Sequence, residues 1–288
     1  MFWNLIVSGL ALGAIYALIA LGLVLIYKAT EVVNFAQGEL MMLGAYVGYT
    51  LLAVYHLPLI LAVVCTIVIM AVSGIVIQRI VIQPLIGEGV FSAILVTFGL
   101  SFVLRSSAGF IWGWAEHPFP ALLPESKLAI LGTQVASSQL WVVVVTLLII
   151  LFVSLFFKFT RLGIALRAVS QNQLAASLAG VGLTKSFKLV WSLSAVVAAI
   201  AGILLAPTLV LHPNMGMVVL KALPAAVLGG FGSIPGAILG GFILGLAENL
   251  AGGYLAMGIK DVFSWLVLIV VLLIKPEGLF GVELKKKV

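Results

Sequence analysis

Leu5 to Tyr27 reads L-I-V-S-G-L-A-L-G-A-I-Y-A-L-I-A-L-G-L-V-L-I-Y, an unbroken run without a charged side chain. A helix rises ~1.5 Å per residue and the hydrocarbon core takes ~20 residues to cross, so this stretch is long enough to span a bilayer. Four more long apolar runs extend from Leu57 to Gln78, Val90 to Ile111 (which holds Arg105), Gln139 to Phe157 and Leu189 to Leu211. Three further segments are less regular. Leu40 to Tyr55 is short and follows the polar stretch Asn34 to Glu39, Met217 to Leu250 is broken by Gly and Pro, and Val262 to Ile274 is short. The composition leads the same way: 64% hydrophobic and 8% charged side chains lie far from the soluble range of roughly half apolar and a quarter charged. Nine acids and fifteen bases cannot coat a soluble particle of this size, which excludes soluble enzymes and nucleic-acid binders. The net charge of +6 does not argue for nucleic acid, because the bases sit mostly at the ends of apolar runs. Because the runs are helical rather than ten-residue alternations, the expected fold is all-α: a polytopic transmembrane helical bundle with about eight or nine crossings, a single domain over residues 1–288.

Lys158, Arg161, Arg167, Lys185 and Lys188 bracket the one long polar stretch, and the excess of bases in short cytoplasmic loops places it, residues 159–187, in the cytoplasm. Gly113 to Ser138, with Lys127 as its base, falls on the opposite face. Lys285, Lys286 and Lys287 return the tail to the cytoplasm. Parity then requires the broken segment, residues 217–250, to enter and come back as a hairpin of two short helices turning near Gly229 to Gly236. No Lys or Arg precedes Lys28, so a signal-peptide n-region is lacking, the first helix is retained and the N-terminus is expected outside.

The stretch G-G-F-G-S-I-P-G (Gly229 to Gly236) interrupts an apolar run. It is either a break lining a permeation path or a tight cytoplasmic turn between ordinary helices. Ionisable side chains at membrane depth need a partner or a purpose; the candidates are Glu39, Arg105, Lys221, Glu248 and Lys260 with Asp261. Arg105 and Lys260 lie near span ends and can snorkel. Lys221 and Glu248 lie toward the outer ends of the hairpin arms, where they can pair or reach an outer vestibule. Asn34 and Gln37 are neutral amides able to offer hydrogen bonds to a polar solute, and with Glu39, Lys221 and Glu248 they form the candidate permeation set. Cys65, alone of its kind, reads as a small core residue. His56, His117 and His212 have no second ligand at metal spacing, so neither metal nor cofactor is expected. No G-x-S-x-G elbow, H-E-x-x-H helix or phosphate loop occurs, and no Gly-Lys dipeptide at all; ATP hydrolysis, where it drives transport, belongs to another subunit.

The cytoplasmic stretch R-L-G-I-A-L-R-A-V-S-Q-N-Q-L-A-A-S-L-A-G-V (Arg161 to Val181) carries alanines and leucines at helical spacing. Asn172 is placed to cap a short helix parallel to the membrane and Gly180 to stop it. An ordinary interfacial helix is one reading. The small Ala175, Ala176 and Ala179 give weak lipid anchorage and good access for a protein groove, which favours docking of a partner, with Arg161 and Arg167 beside it.

These residues together resemble the LivH-type permease subunit of the ABC importers for branched-chain amino acids. The resemblance covers nearly the whole chain and rests on Gly13 to Tyr27, N-F-A-Q-G-E (Asn34 to Glu39) followed by M-L-G-A-Y, the docking loop, Ala225 to Gly241, and K-P-E-G-L-F-G (Lys275 to Gly281). It implies a multi-pass permease of a prokaryotic inner membrane, working with a homologous second permease, two cytoplasmic ATPase subunits and an extracytoplasmic substrate-binding protein. It further implies that Arg161 to Val181 holds the coupling helix that enters an ATPase cleft. Two departures stand out. The family commonly shows N-F-A-H-G where this chain has Gln37, and Gln78, Gln83 and Ile86 replace frequent charges. Relatives carry amides, urea or aromatic acids as well as leucine, isoleucine and valine, so the resemblance leaves the substrate open. The alternative is a self-sufficient secondary carrier or channel, which the alanine-rich docking loop disfavours.

Overall fold

The structure, a computed structural model, describes residues 2–122, 126–130, 133–255 and 258–281. The elements run α1 (Phe2–Thr30), α2 (Gln37–Tyr49), α3 (Leu59–Ile77), α4 (Val90–Trp112), β1 (Lys127–Ile130), β2 (Thr133–Ala136), α5 (Ser137–Phe159), α6 (Arg161–Gln171), α7 (Gln173–Leu178), α8 (Leu183–Leu209), α9 (Val219–Gly229), α10 (Ile234–Tyr254) and α11 (Ile259–Ile274). α2 continues into a wide turn at Thr50–Val54, and α3 into another at Gln78–Ile82.

Among the described residues six helices are long and apolar enough to cross a membrane: α1, α3, α4, α5, α8 and α10. The five long runs read from the sequence each correspond to one of them. The sixth, α10, was expected as half of a hairpin of two short helices; it has 21 residues, whereas α9 has 11. The hairpin therefore has unequal arms. α8 begins at Leu183, ahead of the apolar run, so Lys185 and Lys188 lie within its first turns. A two-stranded antiparallel ribbon, Lys127 opposite Ala136 through Ile130 opposite Thr133, adds a small sheet to a chain expected to be all helical. The tail lysines Lys285 to Lys287 lie outside the described residues.

The chain divides into two compact units, one comprising residues 1–24, 123–147 and 219–288, the other residues 25–122 and 148–218. In the second, α2 and α3 pack on α8 through glycines. Gly44 lies against Ala199, Gly202 against the Met41 carbonyl and Gly74 against the Trp191 carbonyl, so a Cβ at any of them meets backbone. Small residues let helices in a membrane approach to backbone contact, which compensates for the lack of a solvent-driven hydrophobic force there. Gly202→Val is expected to prise α2 from α8 at a cost of about 1–3 kcal/mol or more. Gly99→Ala, at a position where a Cβ meets nothing within 4 Å, is the control. Thermal unfolding of the purified chain in detergent reads the difference, and equal midpoints for both variants would contradict it.

In the other unit the first half of α1 lies antiparallel to α10. Gly9 faces Leu246, Gly13 faces Gly245 and Phe242, and Ala17 faces Gly241. α9 and α10 meet through Gly229 against Gly236 and Gly240 against Ala225, and α11 packs on both. The turn between them is tight: Gly230 takes a left-handed φ of +93°, and the Ser233 hydroxyl caps α10 by accepting from the Gly236 amide at 3.1 Å. Residues 275–281 fold back over this turn. The amides of Leu279 and Phe280 donate to the carbonyls of Leu228 (2.7 Å) and Gly229 (3.3 Å), the last acceptors of α9. Gly278, at φ +81°, sits so close to the Val227 carbonyl that no side chain fits.

Candidate functional site

The start of α2 gathers polar side chains that are all buried. Asn34 forms a local turn, its Oδ1 accepting from the Ala36 amide at 3.1 Å, and its Nδ2 donates to Gln37 Oε1 at 3.2 Å. Gln37 Oε1 also accepts from the Ser194 hydroxyl at 3.0 Å, and Gln37 Nε2 reaches the Ser194 carbonyl at 3.5 Å. Asn34, Gln37 and Ser194 are 0% exposed. The two amides expected to face a solute thus bond to each other and to α8. This meets the rule that polar groups out of water must be paired. Ser194 was not singled out by sequence reasoning; the signal available was a hydroxyl set in an alanine-rich apolar helix. Gln37→Leu leaves Asn34 Nδ2 and the Ser194 hydroxyl without that partner, a penalty of about 1–3 kcal/mol. Uptake is expected to fall further than the amount of assembled complex in the membrane. Parallel losses of both would count against it.

One turn on, Glu39 accepts a hydrogen bond from Arg105 of α4 at 2.5 Å, the carboxylate 2% and the guanidinium side chain 19% exposed. Arg105, read as able to snorkel from near a span end, is paired with Glu39. Glu39 lies in the first turn of α2, where the helix dipole favours an acid, and the pairing supplies the countercharge. Arg105 also stands 5.9 Å from the Phe102 ring centroid. At the other end of α2, Tyr46 stacks on Trp112 with centroids 4.8 Å apart, the Trp112 indole donates to Thr50 Oγ1, and His117 Nε2 lies 2.9 Å from the Trp112 carbonyl. His117 is a packing residue.

In the other unit, Glu248 of α10 is 2% exposed and accepts from the Tyr16 hydroxyl of α1 at 3.0 Å and from Ser264 of α11 at 2.8 Å. Three helices meet at this carboxylate. Lys221 is half-buried in the first turn of α9. α9 and α10 meet through Gly229 with Gly236 and Ala225 with Gly240, so the two helices form the hairpin in which Lys221 and Glu248 were expected on the same side. Gly232 and Ser233 lie in the turn itself.

The segment between α5 and α8 forms two helices where a single short one was read. Thr160 caps α6, its hydroxyl accepting from the Gly163 amide at 2.9 Å. Asn172 is extended (φ −158°, ψ 107°) and breaks the path. Its Oδ1 accepts from the Ala175 amide at 2.9 Å and so caps α7. An asparagine side chain offers the backbone this alternative to continued helix. Gly180, at φ +87°, closes the segment with its amide on the Ser177 carbonyl. Arg161, Arg167, Ala175, Ala179 and Gly180 are exposed. Ala176 is turned inward at 4% exposure, and the outward face instead carries Leu174 at 70% and Leu178 at 81%. Leucines at helical spacing are visible in the sequence, but the docking face was expected on the alanines. The leucines' spacing of four marks one face of a helix, but spacing alone does not say which face is outward.

Long apolar helices with their few internal polar and charged side chains paired, interrupted by an exposed pair of short helices, mark a multi-pass membrane protein. The family model described as "Branched-chain amino acid transport system / permease component" matches residues 5–272, and the chain belongs to that family. It is 34% identical over 288 residues to the high-affinity branched-chain amino acid transport system permease protein LivH of Escherichia coli K12, covering 95% of this chain and 94% of the relative. The corresponding protein BraD of Pseudomonas aeruginosa PAO1 is also 34% identical, over 96% of this chain and 94% of its own. Among solved structures, PsaBC from Streptococcus pneumoniae in complex with Fab superposes with a TM-score of 0.51 at 15% identity, over 96% of this chain and 92% of that one; the likeness is one of fold. The chain is a transport component of the cytoplasmic (inner) membrane.

Proposed function

We propose that this chain is one of two homologous permease subunits of an ATP-binding cassette importer and forms, with its counterpart, the pathway for branched-chain amino acids or related small polar solutes. The solute is delivered by an extracytoplasmic binding protein, and two cytoplasmic ATPase subunits supply the work. The observation that carries this reading is membership of the permease family over nearly the full length of the chain. The exposed α6–α7 segment supports it, because a self-sufficient carrier has no use for an apolar helix face presented to the cytoplasm.

In this reading Arg161 to Gly180, within the loop at 159–187, is the coupling element. Leu174, Ala175, Leu178 and Ala179 form the face that enters an ATPase cleft. α2, α9 and α11 are short crossings within a single permease domain, and residues 217–250 are a broken hairpin beside the route. Asn34, Gln37 and Glu39 act from behind the wall by fixing α2 against α8 and α4, and Lys221 and Glu248 fix the hairpin. The test is reconstitution of the chain with its second permease, the ATPases and the binding protein in proteoliposomes, with labelled leucine, isoleucine and valine offered against small amides. ATP-dependent uptake of a branched-chain amino acid is expected. Uptake by the permeases alone would replace the importer by a carrier.

A further inference from the structure

α1 ends at Thr30, and the last carbonyls of a helix need partners from outside it. The Thr30 hydroxyl donates to the Ile26 carbonyl at 2.8 Å, and the amide of Glu31, itself in the left-handed region at φ 58°, donates to the Tyr27 carbonyl at 2.7 Å. The Ala29 carbonyl, on a residue 3% exposed, accepts from Gln173 Nε2 at 3.1 Å. Gln173 is the first residue of α7. The end of a membrane helix is thus closed by an amide from the cytoplasmic segment. α7 presents Leu174 and Leu178 outward while Gln173 and Ala176 turn toward the rest of the unit. Just beyond Glu31 the chain reaches Asn34, which is tied through Gln37 to Ser194 of α8.

We propose that Gln173 is a positioning residue that transmits displacement of the docking segment to the end of α1 and, through Asn34 and Gln37, to α2 and α8. The proposal rests on the reading of α6–α7 as that docking segment. The chemistry at position 173 is specific. The acceptor is a carbonyl at the negative end of a helix, so a donor is required and a carboxylate is repelled. A filler of the same size but opposite hydrogen-bonding sense does not serve.

The experiment uses the complete complex, reconstituted, with Gln173→Ala, Gln173→Glu and Gln173→Lys; retention of the ATPase subunits, ATP hydrolysis and uptake are read separately. The Ala and Glu variants are expected to keep the ATPase subunits and hydrolyse ATP while uptake per ATP falls about tenfold, the scale of one lost hydrogen bond. Lysine, which keeps a donor and suits a helix C-terminus, is expected to restore most of the ratio. Normal uptake per ATP in Gln173→Ala or Gln173→Glu, or lysine no better than alanine, overturns the proposal. Loss of the ATPase subunits from these variants also overturns it, since Gln173 then shapes the docking face itself. Leu178→Glu in the same assay tests the docking reading alone: retained ATPase subunits there remove that reading.

Discussion

Arg105→Ala is expected to destabilise the chain by about 3–5 kcal/mol, because it strands the Glu39 carboxylate in a site where it is 2% exposed and has no other cation among its recorded partners. A protein of this kind has little stability to spare, so most of the variant should fail to accumulate. Replacing both partners with leucine removes the charge along with its countercharge, and a buried pair exchanged for apolar side chains is often close to neutral. The double variant is therefore expected to recover much of what the single one loses, giving a coupling of more than 1 kcal/mol in the cycle. Thermal unfolding in detergent, with folded yield as a second reading, measures all four corners. Additive losses would show that the pair is a crossing of two side chains and not a stabilising contact.

Leu178→Glu carries the largest expected effect on transport. Leu178 is 81% exposed and makes no contribution to the core of its own chain, so the substitution should leave folding unchanged. At a protein interface the same change puts a charge without a partner into an apolar pocket, and central contacts of that type are commonly worth 2 kcal/mol or more. Uptake is expected to fall to background, with the ATPase subunits lost on purification. Ala176→Glu is a poorer probe: at 4% exposure, Ala176 is packed against its own chain and the charge would disturb the permease first.

The parts of the fold that the amino-acid order makes visible are those governed by local rules. Leu5 to Tyr27 can be nothing but a span because no charge interrupts it, and Asn172 and Gly180 act on neighbours three residues away, so their caps can be read in one dimension. The pairings at the candidate site are different in kind. Ser194 meets Gln37 across 157 residues and Tyr16 meets Glu248 across 232. In a helix apolar on every side there is no polar face to show which stripe turns inward, and the usual periodic signal is absent. Arg105 illustrates the result: its place in α4 suits snorkelling as well as pairing, and only the approach of α2 decides. The unequal hairpin was hidden for a related reason, since Met217 and Val218 are apolar yet belong to the 3-10 turn Pro213–Val218 ahead of α9, which shortens the arm without a break in its hydropathy.

The fold of residues 275–281 over the α9–α10 turn sets an order of events during biosynthesis. The Leu228 and Gly229 carbonyls acquire the donors of Leu279 and Phe280 only after α10 and α11 have been synthesised. Until then the short arm ends in acceptors without these donors, and water or lipid headgroups must serve them. Truncation just before Lys275 is therefore expected to lower the folded yield of the chain, even though α1 to α11 have all been made.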